Sequence, residues 1–243
     1  MINPFAHHRA VSPFQEWARK DCLSMFPGFS DNLYADDDII FQNKDHFKNC
    51  KGKRLMLVAG GPSSAAGWQD VKYDCLWSMN HFYKNPLFST VPVDLAMIMG
   101  EPDIESREFK DILENQNTLI GFEIHDRWKN YQFQDHENFF CMHTRFYGKI
   151  GIGARMKIFA AKLGFEKVYF TGCDGPDAIF SGDHFFEPGK KTLPSVFANQ
   201  TLETVRHHWK QQYDFFWRYV RKICPDTKFE NLGGGEIYHE KCK

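Results

Sequence analysis

From position 53 onward, short apolar runs alternate with polar stretches that contain glycine, and several runs are followed by a helix-like pattern. Alternation of strand-like and helix-like segments is the signature of a parallel sheet covered by helices. We therefore predict an α/β fold, a Rossmann-like and mostly parallel sheet flanked by helices. The predicted strands are Leu55 to Ala59, Cys75 to Met79, Val93 to Met99, Thr118 to Phe122, Phe139 to Met142, Lys167 to Thr171 and Phe229 to Leu232.

Three segments carry a helical pattern. A polar helix is predicted over residues 105–114, and a long helix follows residue 200 with an inner face from Leu202 to Ile223. Between Gly151 and Gly164, apolar residues recur at helical spacing, which predicts a helix with one buried stripe. A long loop is expected over residues 176–194.

The first 50 residues have no strong repeating pattern and are interpreted as an N-terminal lead-in. Residues 51–243 are interpreted as a single Rossmann-like, nucleotide-binding catalytic domain that carries this extension. The run Asp36 to Asp38 is interpreted as a solvated loop or helix start rather than as a metal site.

Composition narrows the class of protein. The formal net charge is −1, so there is no overall positive field to attract nucleic acid. Seven cysteines are scattered without a Cys-x-x-Cys pair, which is typical of reduced thiols in a cytoplasmic protein. We find no apolar run long enough to span a bilayer and no signal-peptide pattern at the N-terminus, and we expect a cytoplasmic location.

The segment Arg54 to Ser64 combines a buried strand with a two-glycine turn and a helix start. Pro62 suits the first helical position, because its φ angle is fixed and its missing N–H would be unpaired there. Glycines let a backbone approach a phosphate closely, and a helix N-terminus directs free N–H groups at it. The same turn also occurs without any ligand, so both interpretations stay open on this segment alone.

Polar residues and glycines gather where the predicted strands end. In a parallel sheet these ends share one edge, and ligands bind outside it. Their clustering favours a nucleotide site at that edge. The residues are Gly60 and Gly61, Asn80, Glu101 and Asp103, Gly151 and Gly153, and Asp174.

Several of these motifs, taken in order, resemble a known family. They are Ala59-Gly-Gly-Pro-Ser-Ser64, then Met79-Asn-His-Phe-Tyr83, then a glycine-rich helix start that leads to Lys162-Leu-Gly-Phe-Glu-Lys-Val-Tyr-Phe-Thr-Gly-Cys-Asp174. The series resembles the bacterial sialyltransferases of glycosyltransferase family 42. It is also similar to the Rossmann-type family of motility accessory factors and archaeal 6-hydroxymethyl-dihydropterin pyrophosphokinases. The resemblance extends over residues 53–238.

The resemblance implies a glycosyltransferase that moves a sialic-acid-like sugar from a nucleotide donor, with a CMP-linked donor favoured, to a glycan acceptor in surface-glycan biosynthesis. The nucleotide-binding residues that it implies are Gly60, Gly61, Pro62, Ser63, Asn80, Gly153 and Asp174. No cofactor is expected for that reaction. The expected partners are the nucleotide sugar and the acceptor, with no nucleic acid, and a homo-oligomer stays open.

Sugar transfer with inversion needs a group that accepts the proton of the attacking hydroxyl, and a histidine suits that task near neutral pH. His184 lies in the long loop just past the nucleotide edge and is the favoured base. His208 and its neighbour His207 are the alternatives, although both fall off the apolar face of their helix.

Two other functions stay open. Glu101 and Asp103 could hold Mg²⁺ on a diphosphate, as a pyrophosphokinase acting on a pterin-like alcohol would require. The same pair also makes a routine helix start. The third hypothesis is a non-catalytic module that binds nucleotide or glycan. Metal dependence separates the first two hypotheses, and loss of turnover without loss of binding separates an enzyme from the third.

Overall fold

The computed structural model describes residues 40–41, 44–65, 67–98, 106–123, 137–144, 150–190 and 200–235. These residues build an eight-stranded sheet whose order is β1-β6-β5-β4-β3-β2-β7-β8. The strands are β1 Ile40–Phe41, β2 Arg54–Val58, β3 Cys75–Met79, β4 Leu95–Ile98, β5 Leu119–Glu123, β6 Phe139–His143, β7 Lys167–Thr171 and β8 Lys228–Asn231.

All pairings among the strands β2 to β8 are parallel. The two-residue strand β1 pairs with β6 in the antiparallel direction at the edge of the sheet. The prediction of a mostly parallel, Rossmann-like sheet is therefore confirmed. Strand bounds differ from the predicted ones by one or two residues, which is the usual uncertainty of element ends.

The order of the strands reverses between β2 and β7. From β2 the chain builds β3, β4, β5 and β6 on one side, and then returns to place β7 and β8 on the other. Such a reversal is the topological switch point at which open α/β sheets bind ligands. Here Val58 pairs with Ser78 of β3 and with Thr171 of β7, so the ends of all three strands lie side by side.

Alternate residues of each central strand face two separate cores. Leu55 and Leu57 of β2 point into the core that is shared with the helix after residue 151 and the last long helix. Met56 and Val58 point into the core on the other face. Because both faces are covered, the strands read as continuous apolar runs, which is why the sequence revealed them.

Four α-helices are described: α1 Arg107–Gln116, α2 Ile152–Lys162, α3 Pro176–Ser181 and α4 Leu202–Ile223. Ser106 caps α1, since its hydroxyl accepts the N–H of Phe109 at 3.3 Å. The predicted polar helix is thus α1, moved by two residues. The predicted long helix is α4, whose buried side contains Val205 and Trp209.

Helix α2 departs from its prediction. Residues 152–161 are buried all round, including Arg155 and Lys157, whereas Leu163 is only partly buried. The helix packs between the sheet and α4, so the side predicted to face solvent is covered. A single buried stripe was therefore wrong for this helix.

The predicted loop and the predicted helix after the glycine turn also differ from the structure. Residues 176–181 of the loop form α3, which begins at Pro176. The turn leads into Pro62–Ala65, a single 3-10 turn that Pro62 opens as predicted. One turn of this kind aligns few peptide dipoles, so it is a weaker anion site than an α-helix N-terminus.

Several predictions fall outside the described residues, among them Asp36 to Asp38, Glu101, Asp103 and most of the N-terminal lead-in. Within the described ranges, none of the helices combines the length and the apolar character that crossing a membrane requires. Four cysteines, Cys50, Cys75, Cys173 and Cys224, are free thiols.

Candidate functional site

The glycine turn after β2 is filled by the protein's own groups. The N–H of Gly61 donates to the carbonyl of Gly172 at 2.8 Å, and the N–H of Ser64 donates to Gly61 at 3.1 Å. The N–H of Ser63 donates to Oδ2 of Asp174 at 2.8 Å. The anion at this turn is therefore an internal carboxylate, and the turn as it stands is not an open phosphate cradle.

Asp174 joins three loops at the switch point. Besides Ser63, it accepts the N–H of Gly234 on Oδ1 at 3.2 Å. A Cβ atom on Gly61 would lie less than 3.0 Å from Asp174 and from the carbonyl of Gly172, so this position has room only for glycine. The structure thus brings Gly61, Ser63 and Asp174 together as predicted, but in contact with one another.

The hydroxyl of Ser63 is engaged between β2 and β7. Its Oγ accepts the N–H of Gly172 at 2.9 Å, while the hydroxyl of Thr171 donates to the Ser63 carbonyl at 2.9 Å. Gly172 has a φ of +73°, and a Cβ there would collide with the carbonyl of Ala59. The two strand ends are therefore in backbone contact at the switch point.

His184 covers Gly60. The loop that carries it is attached to the turn, because the N–H of Phe185 donates to the Gly60 carbonyl at 2.7 Å. A Cβ on Gly60 would lie less than 3.0 Å from Nε2 of His184, so this glycine makes room for the imidazole. His184, the predicted base, thus lies directly over the glycine turn at the end of β2.

The hydrogen bonding of His184 fixes its tautomer. The backbone N–H of Glu187 donates to Nδ1 at 3.1 Å, so the proton of the neutral ring is on Nε2. Burial lowers the pKa of His184, with Lys190 and Lys84 acting in the same direction against Glu187. At neutral pH the ring is uncharged and presents an N–H.

Asn80 stands at the end of β3 in a strained conformation. Its φ is +49°, in the left-handed region that residues other than glycine adopt only in a small fraction of cases. Its N–H donates to the Met97 carbonyl at 2.8 Å, which ties it to β4. Strain of this kind collects at functional sites.

Gly153 lies in the first turn of α2 beside the ends of β3 and β7. A Cβ there would have ordinary contacts, 3.6 Å from Cε of Met79 and 3.7 Å from Sγ of Cys173. The next nearest atom is Nζ of Lys157 at 4.0 Å, an amino group that is fully buried and 3.8 Å from the Cys173 thiol. Burial lowers the pKa of Lys157. The sequence did not indicate this buried lysine, since a lysine in a helix reads as a solvent-facing residue.

A polar cluster lies beside His184, and the residues predicted for the site did not include His81, Lys84 or Glu187. It consists of His81, Lys84, Glu187 and Lys190. Glu187 forms ion pairs of 2.6 Å with both lysines, through Oε1 with Lys84 and through Oε2 with Lys190. Burial opposes the charge on Glu187, but hydrogen bonds from Lys190 and Lys84 lower its pKa to about 2. His81 directly follows Asn80, so the rule that strand ends carry function was the available signal for it.

His81 accepts a hydrogen bond from the Lys190 ammonium, with 2.9 Å between Nε2 and Nζ. Burial, and next the charge of Lys190, lower its pKa to about 4, so the ring is neutral and its proton is on Nδ1. That Nδ1 is buried and has no hydrogen-bond acceptor. An unsatisfied buried donor is costly and marks a place where a ligand or water completes the network.

The alternative bases are exposed on α4. His207 contacts Gln211, with 3.0 Å between Nε2 of each residue, and His208 is exposed beside it. The helical-wheel prediction that both lie off the apolar face is therefore confirmed.

The proposed metal ligands Glu101 and Asp103 lie outside the described ranges. Within those ranges, no group of three or more histidine, cysteine, aspartate or glutamate side chains is arranged to hold a metal ion.

Comparison with solved structures finds proteins that share this fold. Two structures of the sialyltransferase CST-II in complex with CMP match at TM-scores of 0.50 and 0.52, with 15% and 16% sequence identity. Each match covers 79% of this chain and 89% or 90% of the other. An α-2,3-sialyltransferase from Campylobacter jejuni in apo form matches at a TM-score of 0.42, with 12% identity over 81% of this chain and 79% of that one.

At these identities the chain shares the fold of the sialyltransferases. The two CST-II structures do not support the pterin pyrophosphokinase part of the resemblance. No family model matches the sequence, and no curated protein matches it significantly.

Proposed function

We propose that this protein is a glycosyltransferase that takes a sugar from a CMP-linked donor and passes it to a hydroxyl group of a glycan. The observation that carries the proposal is the meeting of Gly60, Asn80, Gly153, Asp174 and His184 around the ends of β2, β3 and β7. This arrangement occurs in a fold shared with sialyltransferases solved with CMP. Function placed at the switch point of an open α/β sheet agrees with where such sheets bind ligands.

In the proposed reaction, the bond between the anomeric carbon and the donor phosphate breaks, and the phosphate oxygen keeps the electron pair. The acceptor oxygen bonds to the anomeric carbon and releases its proton to a base. Asn80 and the N-terminus of α2 at Gly153 are proposed to bind the nucleotide. Asp174 organises the edge by holding Ser63 and Gly234.

The base role of His184 remains a prediction, and the structure defines what it requires. A base needs a lone pair, but Nε2 carries the proton while Nδ1 accepts the Glu187 N–H. In this state His184 donates a hydrogen bond toward the phosphate or the leaving oxygen. Acting as base requires the Glu187 hydrogen bond to break.

The first test is thermal unfolding with CMP, UDP, GDP and ATP, each with and without Mg²⁺. A ligand at 100 times its dissociation constant adds about 2.7 kcal/mol of stability, which is a clear shift. We expect stabilisation by CMP that does not depend on Mg²⁺. Stabilisation only by ATP with Mg²⁺ would replace the proposal with the pyrophosphokinase.

A second measurement separates an enzyme from a binding module. For His184→Ala we expect CMP affinity to stay within a few-fold of the wild type while sugar transfer and donor hydrolysis are lost. Equal rates in the variant and the wild type would remove His184 from the reaction.

A further inference from the structure

The polar cluster lies on a loop that crosses the sheet edge above the glycine turn. Residues 182–190 form this loop, and its two ends meet where the Gly189 N–H donates to the Gly182 carbonyl at 3.0 Å. Its middle is attached to β2 through Phe185 and Gly60, and Phe186 is buried against Phe88. The loop therefore has a defined position over the ends of β2 and β3.

The loop and the segment after β3 bring two lysines to one carboxylate. Lys84 and Lys190 are separated by more than 100 residues, yet both contact Glu187 at 2.6 Å. We call these three residues the lysine clamp. Both lysines share the carboxylate of Glu187, and the His81 and His184 rings beside them are neutral.

The clamp is accessible from outside. About a third of each lysine side chain is exposed, 32% for Lys84 and 31% for Lys190, and Glu187 is 29% exposed. An ammonium has three donors, so each lysine can contact Glu187 and a second anion together. His81 accepts one of the donors of Lys190 and so directs that lysine over the edge.

The glycine turn cannot supply the positive charge that a nucleotide phosphate requires. The N–H groups of Gly61, Ser63 and Ser64 are already donated within the protein, and one of their acceptors is the carboxylate of Asp174. An incoming phosphate would compete there with an internal anion. In the part of the chain that the structure describes, Lys84 and Lys190 are cations beside this turn that can meet it.

We propose that Lys84 and Lys190 form a binding site for the phosphate of the nucleotide, and that Glu187 holds the two lysines in place while the site is empty. The proposal rests on the proposed function for the identity of the nucleotide. The recognised chemistry, a phosphate oxygen beside two ammonium groups, is independent of the base and the sugar.

The test compares CMP with cytidine, which lacks the phosphate, by isothermal titration calorimetry at low salt. Lys84→Met and Lys190→Met should each weaken CMP binding roughly tenfold and leave cytidine binding unchanged, because a charge-assisted hydrogen bond is lost. Lys48→Met is the matched control, since Lys48 is 69% exposed and pairs with Asp45 away from the edge. We expect this control to bind both ligands as the wild type does.

Whether CMP affinity rises or falls when Glu187 is substituted is a further test of the lysine clamp. Glu187→Gln removes a negative charge but keeps an acceptor for a lysine, so CMP affinity should rise about threefold or more. Lys190→Arg keeps the charge and should keep the ratio of CMP to cytidine affinity. Thermal unfolding of each variant shows whether it is folded.

The proposal would be overturned if Lys84→Met and Lys190→Met both kept the wild-type ratio of CMP affinity to cytidine affinity. Weaker CMP binding in Glu187→Gln would also overturn it. If the wild type binds UDP or inorganic pyrophosphate instead of CMP, and binding still requires both lysines, the clamp stands and the CMP-linked donor fails. If the wild type binds none of these anions, the clamp itself is refuted.

Discussion

At the scale of single residues, the physical requirement for glycine differs between two positions that look alike in the sequence. Gly61 is required by space, because a Cβ there would lie less than 3.0 Å from Asp174 and Gly172. Gly153 has ordinary distances to its neighbours, so nothing in the fold requires glycine there. If function requires glycine at position 153, the requirement comes from space for a ligand and not from the packing of the fold.

The two glycines therefore predict opposite outcomes. Gly61→Ala should destabilise the protein by about 1–3 kcal/mol, the usual cost of forcing atoms into a packed site. Gly153→Ala should be neutral or stabilising by up to about 1 kcal/mol, since alanine is the better helix former. Urea denaturation measures both. Equal losses in the two variants would contradict the steric difference.

Asp174 gives the second prediction at this scale. Asp174→Asn turns one acceptor oxygen into a donor that faces the N–H of Ser63 or Gly234, so we expect a loss of about 1–3 kcal/mol. Asp183→Asn is the control, because Asp183 is exposed and bonds the Ser181 hydroxyl. Urea denaturation and CMP titration are measured together.

Full stability in Asp174→Asn with a selective loss of CMP affinity would show that the carboxylate contacts the nucleotide, as the sequence had suggested.

At the scale of elements, the loop 182–190 depends on backbone conformation at its closing end. Gly189 has a φ of +85° and no atom within 4 Å of its Cβ position, so alanine there is strained without a clash. Gly52 is a matched position in a distant turn, with a φ of +78° and equally open space. Each Gly→Ala change should cost about 1–2 kcal/mol through the left-handed conformation.

The location of the effect distinguishes the two variants. In Gly189→Ala, hydrogen exchange should accelerate at the Phe185 amide, which bonds the Gly60 carbonyl, while the amides of β2 stay protected. In Gly52→Ala the Phe185 amide should exchange as in the wild type. Faster exchange throughout β2 in Gly189→Ala would mean that the loop is not a separate unit.

At the scale of the whole molecule, stability should depend on pH through the partly buried histidines His81 and His184. The pKa of His81 is about 4 in the folded protein and about 6.5 when it is unfolded, so the unfolded chain binds more protons between these values. Stability is then complete above pH 6.5 and is lost as the pH falls toward 4. His184 acts in the same direction.

Denaturant unfolding at pH 7 and pH 4.5 checks this dependence. His81→Gln should lose less stability between the two values than the wild type does, because its side chain has no proton to bind. His46→Gln, at an exposed position, should lose as much as the wild type. An unchanged pH dependence in His81→Gln would exclude His81 as its source.

Much of the fold was accessible from sequence because both faces of the sheet are covered. Strands such as β4 then appear as unbroken apolar runs, and their order in the chain gives the alternation with helices. Helix α2 was misjudged because Arg155 and Lys157 read as solvent-facing residues, while tertiary packing buries them.

The candidate site was predictable in its membership but not in its contacts. The rule that strand ends share one edge selected Gly61 and Asp174. That Asp174 fills the turn depends on how the loop after β7 lies against β2, which local sequence does not encode. The lysine clamp joins residues 84 and 187 for the same reason, and no local pattern reports such a distant pair.

The backbone contact between Gly172 and Ala59 has a mechanical consequence. β2 and β7 are paired along their length and their ends are in backbone contact, so we expect the two sides of the sheet to stay joined at this boundary. Ligand entry cannot occur by the two sides swinging apart. Any induced fit must then be made by the surface segments above the sheet. Under the proposed function, the rate of nucleotide exchange should follow the microsecond-to-millisecond motions of such segments.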